Sequence, residues 1–450
     1  MRRRATLAWL VVAALGSLPA VAAAQQSRED TIDLMGQPAD YTDVIDAFDG
    51  SDPFDLNLVI TYERTLARGI IEREDPTNMD AASGRSTAHL LRIGRYNHVQ
   101  NRLVLGVDIG VFHDLAAYIR FPIILSDTRE ITADEGTDAA AINSRLMDDS
   151  GTLFQLPFVS PERSGIDYFA VGARWGIFNQ YRSRWMPNWV VGLEGRFSIG
   201  DIMHACAQGG PCDNGGSVDS AGISRGTNAL RAYTRFSRRI GHYVEPYAGI
   251  DFLVEWPKRG TDFGFFEDLE GVINDLPPIF GEFTAGMEIV PWENREQFQR
   301  FAIDLRIFSS YRSEGREYSP LFDALGSSVH PELVTEQSDG TTRTVDFGGI
   351  TDTSAYGAFG GRFALGIQAA RYVRFSFGTA FTYEAAHMLT FADACNPDVT
   401  PDGPADTRGG NCRSGIINPH HRPVIDLPGR RFRVNESTVF DLFVSATGMF

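Results

Sequence analysis

The chain has 450 residues, 43% hydrophobic and 22% charged, with a formal charge of −17. That acidity argues against a nucleic-acid binder, because phosphates require a basic surface. Four cysteines are few for this length, and none of their spacings supplies the second Cys/His pair of a structural zinc site.

The chain opens with Met1-Arg2-Arg3-Arg4, continues in an apolar run from Leu7 to Leu18, and reaches Ala22-Ala23-Ala24 before Gln25. A basic start, a short apolar core and small residues at the cut predict a cleaved signal peptide over residues 1–24. The apolar run is too short for a membrane-spanning helix, which needs about 20 residues. Nothing after residue 25 is long and apolar enough either. Residues 25–53 are polar and acidic, with Asp30, Asp33, Asp40, Asp43, Asp46 and Asp49. They read as an N-terminal tail or a small plug turned inward.

From residue 54 the recurring pattern is alternation, the period of a strand with two different faces. Val244, Pro246, Ala248, Ile250, Phe252, Val254 and Trp256 alternate with Glu245, Asp251 and Glu255. Phe301, Ile303, Leu305 and Ile307 alternate with Asp304 and Arg306 in the same way. The pattern predicts strands over 54–72, 88–112, 116–126, 167–180, 188–200, 227–240, 243–257, 281–292, 299–313, 356–370, 373–391 and 434–450. About twelve strands result, an even number that leaves both chain ends on one side. The connections support the count. Those around His113-Asp114, Arg182–Pro187, Gly241-His242, Asn294–Gln297 and Arg371-Tyr372 are short. The intervening ones, 73–87, 127–166, 201–226, 258–280, 314–355 and 392–433, are long. This is the grammar of an all-β, transmembrane, antiparallel up-and-down β-barrel, apolar outward and polar inward.

The inward positions carry both signs of charge. The acidic candidates are Glu63, Asp108, Glu194, Glu245, Asp251, Glu255, Glu288, Asp304, Glu384 and Asp441. The basic ones are Arg120, Arg174, Arg196, Arg231, Arg235, Arg306 and Arg362. Such a set can line a selective pore, or it can close the interior through Arg–carboxylate pairs. Twelve strands lie between the small barrels that side chains fill and the large ones that hold a channel.

Cys206 with Cys212, and Cys395 with Cys412, fall in two of the long loops and read as local disulfides. Two loops carry helix-compatible spacing: Phe265, Phe266, Leu269, Val272 and Ile273 in one, and Leu321, Phe322, Leu325 and Val329 in the other. The acidic loop 127–150 lacks a calcium-loop pattern. His89, His98, His113, His242 and His387 have no evident serine or carboxylate partner in sequence, and adjacent His420-His421 are weak metal ligands. No catalytic centre, cofactor or metal is therefore expected.

The leader, the alternating strands and the terminal Val439–Phe450 together resemble bacterial outer-membrane β-barrel proteins. In that class a C-terminal aromatic with apolar residues at alternate positions is read by the barrel-assembly machinery. Phe440, Leu442, Val444 and Phe450 match that signal, and Gly448 departs from it. The resemblance implies short turns in the periplasm, long loops outside the cell, residues 25–53 as a periplasmic tail, and residues 54–450 as the barrel. It also implies a monomer surrounded by outer-membrane lipid and lipopolysaccharide. The functional expectation is a channel or transporter for small polar solutes with mild cation preference. The alternatives are a structural or surface-binding protein with a packed interior and, less favoured, a lipid hydrolase.

Overall fold

The computed structural model describes residues 38–47 and 55–450, except 76–88, 135–137, 149–150, 181, 184, 206–221, 242, 259–260, 262, 264–270, 295, 328–331, 337–341 and 399–415. Twelve strands close an all-β antiparallel barrel. They are β1 (Leu56–Asp75), β2 (His89–Phe112), β3 (Leu115–Thr132), β4 (Tyr168–Phe178), β5 (Asn188–Ser198), β6 (Thr227–Ser237), β7 (Val244–Pro257), β8 (Phe280–Asn294), β9 (Gln299–Arg312), β10 (Tyr356–Ala370), β11 (Val373–Glu384) and β12 (Phe432–Met449). Each strand pairs with its neighbours in sequence, and β12 returns to β1. Along that seam Asn57 faces Met449 and Arg73 faces Phe432. Leu56 and Phe450 exchange backbone hydrogen bonds of 2.9 and 2.8 Å. Closure leaves no unpaired sheet edge for lipid to meet.

Period-two alternation sets the faces. On β7, Ile250, Phe252, Val254 and Trp256 are exposed outward, while Glu245, Tyr247 and Asp251 are buried inside. Phe440, Leu442, Val444 and Phe450 also point outward. Exposed Phe112, Trp185, Tyr243, Trp292 and Tyr372 cluster at the short turns. Aromatic rings at a barrel rim suit the boundary between hydrocarbon and water. The unbroken β2 keeps the strand count even.

Strand lengths are unequal. β4, β5 and β6 have 11 residues each, about what a bilayer crossing requires. β1, β2, β3 and β12 have 20, 24, 18 and 18. Their excess projects at the long-loop end. β3 reaches Thr132 rather than stopping near 126. There Asp127, expected in a loop, is a buried strand residue whose carboxylate accepts from Gln100 (2.7 Å) and Arg129 (2.9 Å) and pairs with His98 (2.8 Å). β11 instead ends at Glu384, and His387-Met388 pair with β12 alone.

The projecting wall carries a core of the kind found in water-soluble proteins. Ile71, Ile93, Ile131 and Phe432 are fully buried against Leu146, Phe154, Leu325, Leu389 and Ile425. Three short helices supply part of it: α1 (Ala139–Arg145), α2 (Phe322–Gly326) and α3 (Pro423–Asp426). α2 is the helix anticipated around Leu321 and Leu325, and all its residues are buried. Buried Arg163 ties this cap together. Its guanidinium donates to both Asp323 oxygens, at 2.9 and 2.5 Å, and to the His204 carbonyl at 3.1 Å. A buried charge pair is tolerable only with this degree of hydrogen bonding.

Ile307 is 68% exposed on the outer face of β9. Ile307→Arg is expected to destabilise the barrel in lipid by about 2–4 kcal/mol, read from denaturant unfolding in vesicles. Native protein should also migrate differently in SDS with and without boiling.

Candidate functional site

The barrel interior is the candidate site, and each charged residue selected from the alternation faces it. Asp108 pairs with Arg120 (2.5 Å) and Arg174 (3.1 Å). Glu194 accepts from Tyr118 (3.0 Å) and Arg196 (2.8 Å). Arg231 holds Asp251. Glu245 binds Arg239 (2.8 Å) and accepts from Ser237 (2.5 Å) and Asn188 (3.1 Å). Glu255 accepts from Thr227 (3.0 Å) and faces Arg225 (3.6 Å). Asp304 accepts from Tyr247 and from Arg306 (3.3 Å). Glu63 pairs with Arg102, and Glu288 with Arg300. Asp441 accepts from Thr65 (2.6 Å), and Glu384 from Ser437 (2.6 Å). Arg235 lies over the rings of Tyr41 (4.6 Å) and Tyr233 (4.3 Å). Arg362 stacks on Phe443 at 4.1 Å and has no carboxylate or hydrogen-bond partner among the described residues.

Sequence reasoning missed most of the inward aromatics and several arginines. An aromatic in an alternating run reads as lipid-facing, yet Tyr118, Tyr233, Tyr247 and Phe308 turn inward, as does Phe443, which the parity of the last strand already places on the inner face. Each sits directly opposite a glycine on the next strand: Gly172, Gly192, Gly286, Gly360 and Gly378 respectively. The rings fill the space these glycines leave. A Cβ at Gly192 would lie 2.1 Å from Tyr233 Cζ, and one at Gly172 would lie 2.3 Å from Tyr118 Cζ. The pairing is visible only once the register is known. Arg102, Arg239 and Arg300 escaped notice because they lie at breaks in the alternation or near strand ends, whereas the alternation of 373–384 does place Arg374 on the polar face.

Residues 38–47 lie inside the barrel at the short-turn end. Tyr41 stacks on Tyr247 with ring centroids 4.5 Å apart. The guanidinium of Arg306 also covers Tyr41, at 4.7 Å. Thr42 shares a hydrogen bond of 2.6 Å with Ser237. Asp40 bonds Arg374 at 2.7 Å, and its amide donates to Glu288 at 3.1 Å. Ala47 and His113 exchange two backbone bonds of 3.0 Å. The wall makes room: a Cβ at Gly110 would meet the Asp46 carbonyl oxygen at 2.0 Å, and one at Gly249 the Tyr41 hydroxyl at 2.3 Å. The segment therefore occupies part of the lumen at that end. The energetic reason is pairing, since Asp40 reaches an arginine that solvent would otherwise have to cover.

Two cavities lie in the lumen among the described residues, one against β8–β12 and one against β10–β12, β1 and Asp40. The outer one, about 190 Å³, is lined by Phe280, Glu282, Phe308, Ser310, Arg312, Tyr356, Ala358, Thr382, Glu384 and Val439. The inner one, about 300 Å³, is lined by Asp40, Thr61, Glu63, Arg362, Arg374, Ser376, Phe443, Ser445 and Thr447.

The remaining singled-out residues lie in or near the cap. His98 does have a carboxylate partner, Asp127, which lies 29 residues away in sequence. His387 stacks on Tyr356 at 3.7 Å. Burial, followed by the nearby Arg316 charge, holds the His420 imidazole well below its usual pKa, and burial also lowers that of His421. Among the described residues no cluster of three or more His, Cys, Asp or Glu could hold a metal. Cys395 is disulfide-bonded. Cys206, Cys212 and Cys412, residues 1–24 and the helix expected at 265–269 lie outside the described residues.

A closed twelve-stranded barrel with an apolar outer band, aromatic rim and polar, plugged interior is an outer-membrane type of β-barrel. No family model and no curated protein matches at the level of sequence. Among solved structures it is similar to a FadL homologue of Pseudomonas aeruginosa, with 9% identity, 92% of each chain covered and a TM-score of 0.34. It is also similar to the toluene transporter TodX of Pseudomonas putida, with 8% identity, 94% of each chain covered and a TM-score of 0.28. The outer membrane protease OmpT of Escherichia coli is a third, with 9% identity, 88% of this chain and 97% of that one covered and a TM-score of 0.27. These likenesses are of fold alone.

The ring-over-glycine contacts are expected to carry stability. Gly192→Ala drives a methyl into the Tyr233 ring and should cost about 1–3 kcal/mol in reversible unfolding. Gly357→Ala, whose nearest neighbour would be a carbonyl at 3.7 Å, should leave the unfolding midpoint unchanged.

Proposed function

We propose that the protein is a plugged channel of a Gram-negative outer membrane that passes small polar solutes along one wall of its lumen. The uneven filling of that lumen carries this reading. Ion pairs and tyrosines fill the wall from β2 to β7, whereas β8–β12 and β1 border two cavities. Asp40 of the plug is itself part of the inner cavity wall, so withdrawal of residues 38–47 would extend that cavity toward the periplasm. Arg362, one row below Gly360, stands between the two spaces.

A mild cation preference is supported at the outer cavity. Glu282 accepts from Thr284 (3.0 Å) and Glu384 from Ser437, and neither has a cationic partner among the described residues. Arg312 is taken by Glu317 at 3.1 Å. Uncompensated carboxylates raise the local concentration of cations. In this reading the chain is exported through its leader and inserted by the barrel-assembly machinery, which reads Phe440, Leu442, Val444 and Phe450. It then works as a monomer among outer-membrane lipid and lipopolysaccharide, with local disulfides in its outer loops. No catalysis is required of it.

Planar-bilayer recording tests the proposal. Wild-type protein should give rare, small conductance steps, and a deletion of residues 38–47 steps several-fold larger. Glu282→Gln with Glu384→Gln should move the reversal potential of the deleted form toward zero in a salt gradient. If the deletion stays as silent as the wild type, a structural barrel with a packed interior is the better reading.

A further inference from the structure

The outer cavity has an internal order that points to a class of ligand. Three rows of side chains build it. The upper row pairs Phe280 with Arg312 and Arg312 with Tyr356. The middle row runs Glu282, Ser310, Ala358, Glu384 across four adjacent strands. In the lower row Phe308 faces Gly360, which faces Thr382. The small side chains, Ser310, Ala358 and Gly360, fall in the centre. The carboxylates flank them, three strand spacings apart, or about 14 Å around the wall. Rings of Phe280, Phe308 and Tyr356 close the hollow above and below.

This arrangement differs from most of the lumen. Asp108, Glu194 and Asp251 have an arginine within hydrogen-bond reach, and of the other inward acids Asp441 has only the Thr65 hydroxyl. Glu282 and Glu384 have only a hydroxyl each. The one arginine lining the hollow, Arg312, is bound to Glu317 and covers the Phe280 ring at 5.4 Å. The hollow thus offers negative charge, aromatic faces and about 190 Å³ of space. A cavity of about 150 Å³ admits a benzene ring. An inorganic cation would use the carboxylates but leave the rings and the small-residue floor unexplained. An anion would meet two unpaired acids.

We infer that the outer cavity binds monocationic amines that carry a single apolar ring, with the ring over Ser310 and Ala358 and the ammonium on Glu282 or Glu384. Aromatic faces add attraction for the cation. The wide separation of the two acids means that a monoamine engages one at a time, so either carboxylate can serve. This inference deepens the channel reading and rests on it for its biological sense, but binding can be measured without transport.

Calorimetric titration of the purified full-length protein in detergent decides it, using phenethylamine, its neutral isostere 2-phenylethanol, and potassium chloride. Phenethylamine should bind about tenfold or more tightly than the alcohol, the difference expected of a charged hydrogen bond. Potassium should not compete at matched concentration. The double variant Glu282→Gln, Glu384→Gln should lose about tenfold in affinity, while either single variant loses less. Ala358→Leu, which fills the hollow without altering charge, should abolish binding, and its heat-dependent migration in SDS reports whether it has folded. Equal binding of amine and alcohol, full competition by potassium, or undiminished affinity in the double variant overturns the inference. A positive titration with silent bilayers would leave the site standing and remove the channel reading.

Discussion

The structure depends on one constraint: in hydrocarbon every backbone N–H and C=O must find a partner within the protein. The seam between β1 and β12 satisfies it. Without the pairing from Asn57 and Met449 up to Arg73 and Phe432, two long strands would present unpaired edges to lipid. Closure then dictates the two environments of the side chains. A closed sheet has one face toward lipid and one toward the lumen, so every second residue becomes apolar and the rest are confined to a narrow interior. Charges in that interior must find partners across strands, and arginine, with its forked donors, suits that pairing.

The plug and the cap answer the same demand at the two ends. At the short-turn end, Arg374, Arg235 and Arg306 face the segment 38–47. Residues 38–47 complete that set with Asp40, the Tyr41 ring and the Tyr41 carbonyl, which accepts from Arg235 at 3.2 Å. At the other end, the strands that overrun the bilayer enter water, where the lipid rule no longer applies. Their inner faces accordingly switch to Ile71, Ile93, Ile131 and Val434, and loops fold over them as a conventional apolar core.

This division explains what could be read from the sequence. The strands were legible because the bilayer enforces alternation at every crossing, and the inward charges followed from the same parity. Their partners were not legible. Asp108 meets Arg174, and Tyr118 meets Glu194, across a register set by strand tilt, which no single strand encodes. Asp127 looked like part of an acidic loop because nothing local distinguishes a strand that continues beyond the membrane. The acidic run around Asp40 and Asp43 fits a solvated tail as well as a plug. Only the arginines waiting for it, on strands hundreds of residues away, decide between them.

The position of the empty space follows from one strand. The inward residues of β10 are Tyr356, Ala358, Gly360, Arg362, Ala364, Gly366 and Gln368, several of them with little or no side chain. Facing them across the lumen are Tyr118, Arg120, Arg174, Glu194, Arg196, Arg231, Tyr233 and Arg235, which fill their half with rings and guanidinium groups. Phe308 closes over Gly360 and Arg362 reaches to Phe443, so the gap along β10 is interrupted rather than continuous. The interruption is a stacked arginine with no ion-pair partner among the described residues. Such a group can change rotamer without breaking a salt bridge, whereas the opposite wall cannot move without exposing buried charge. For the proposed channel, a solute path would therefore have its lowest cost along β10, where Arg362 lines the inner cavity.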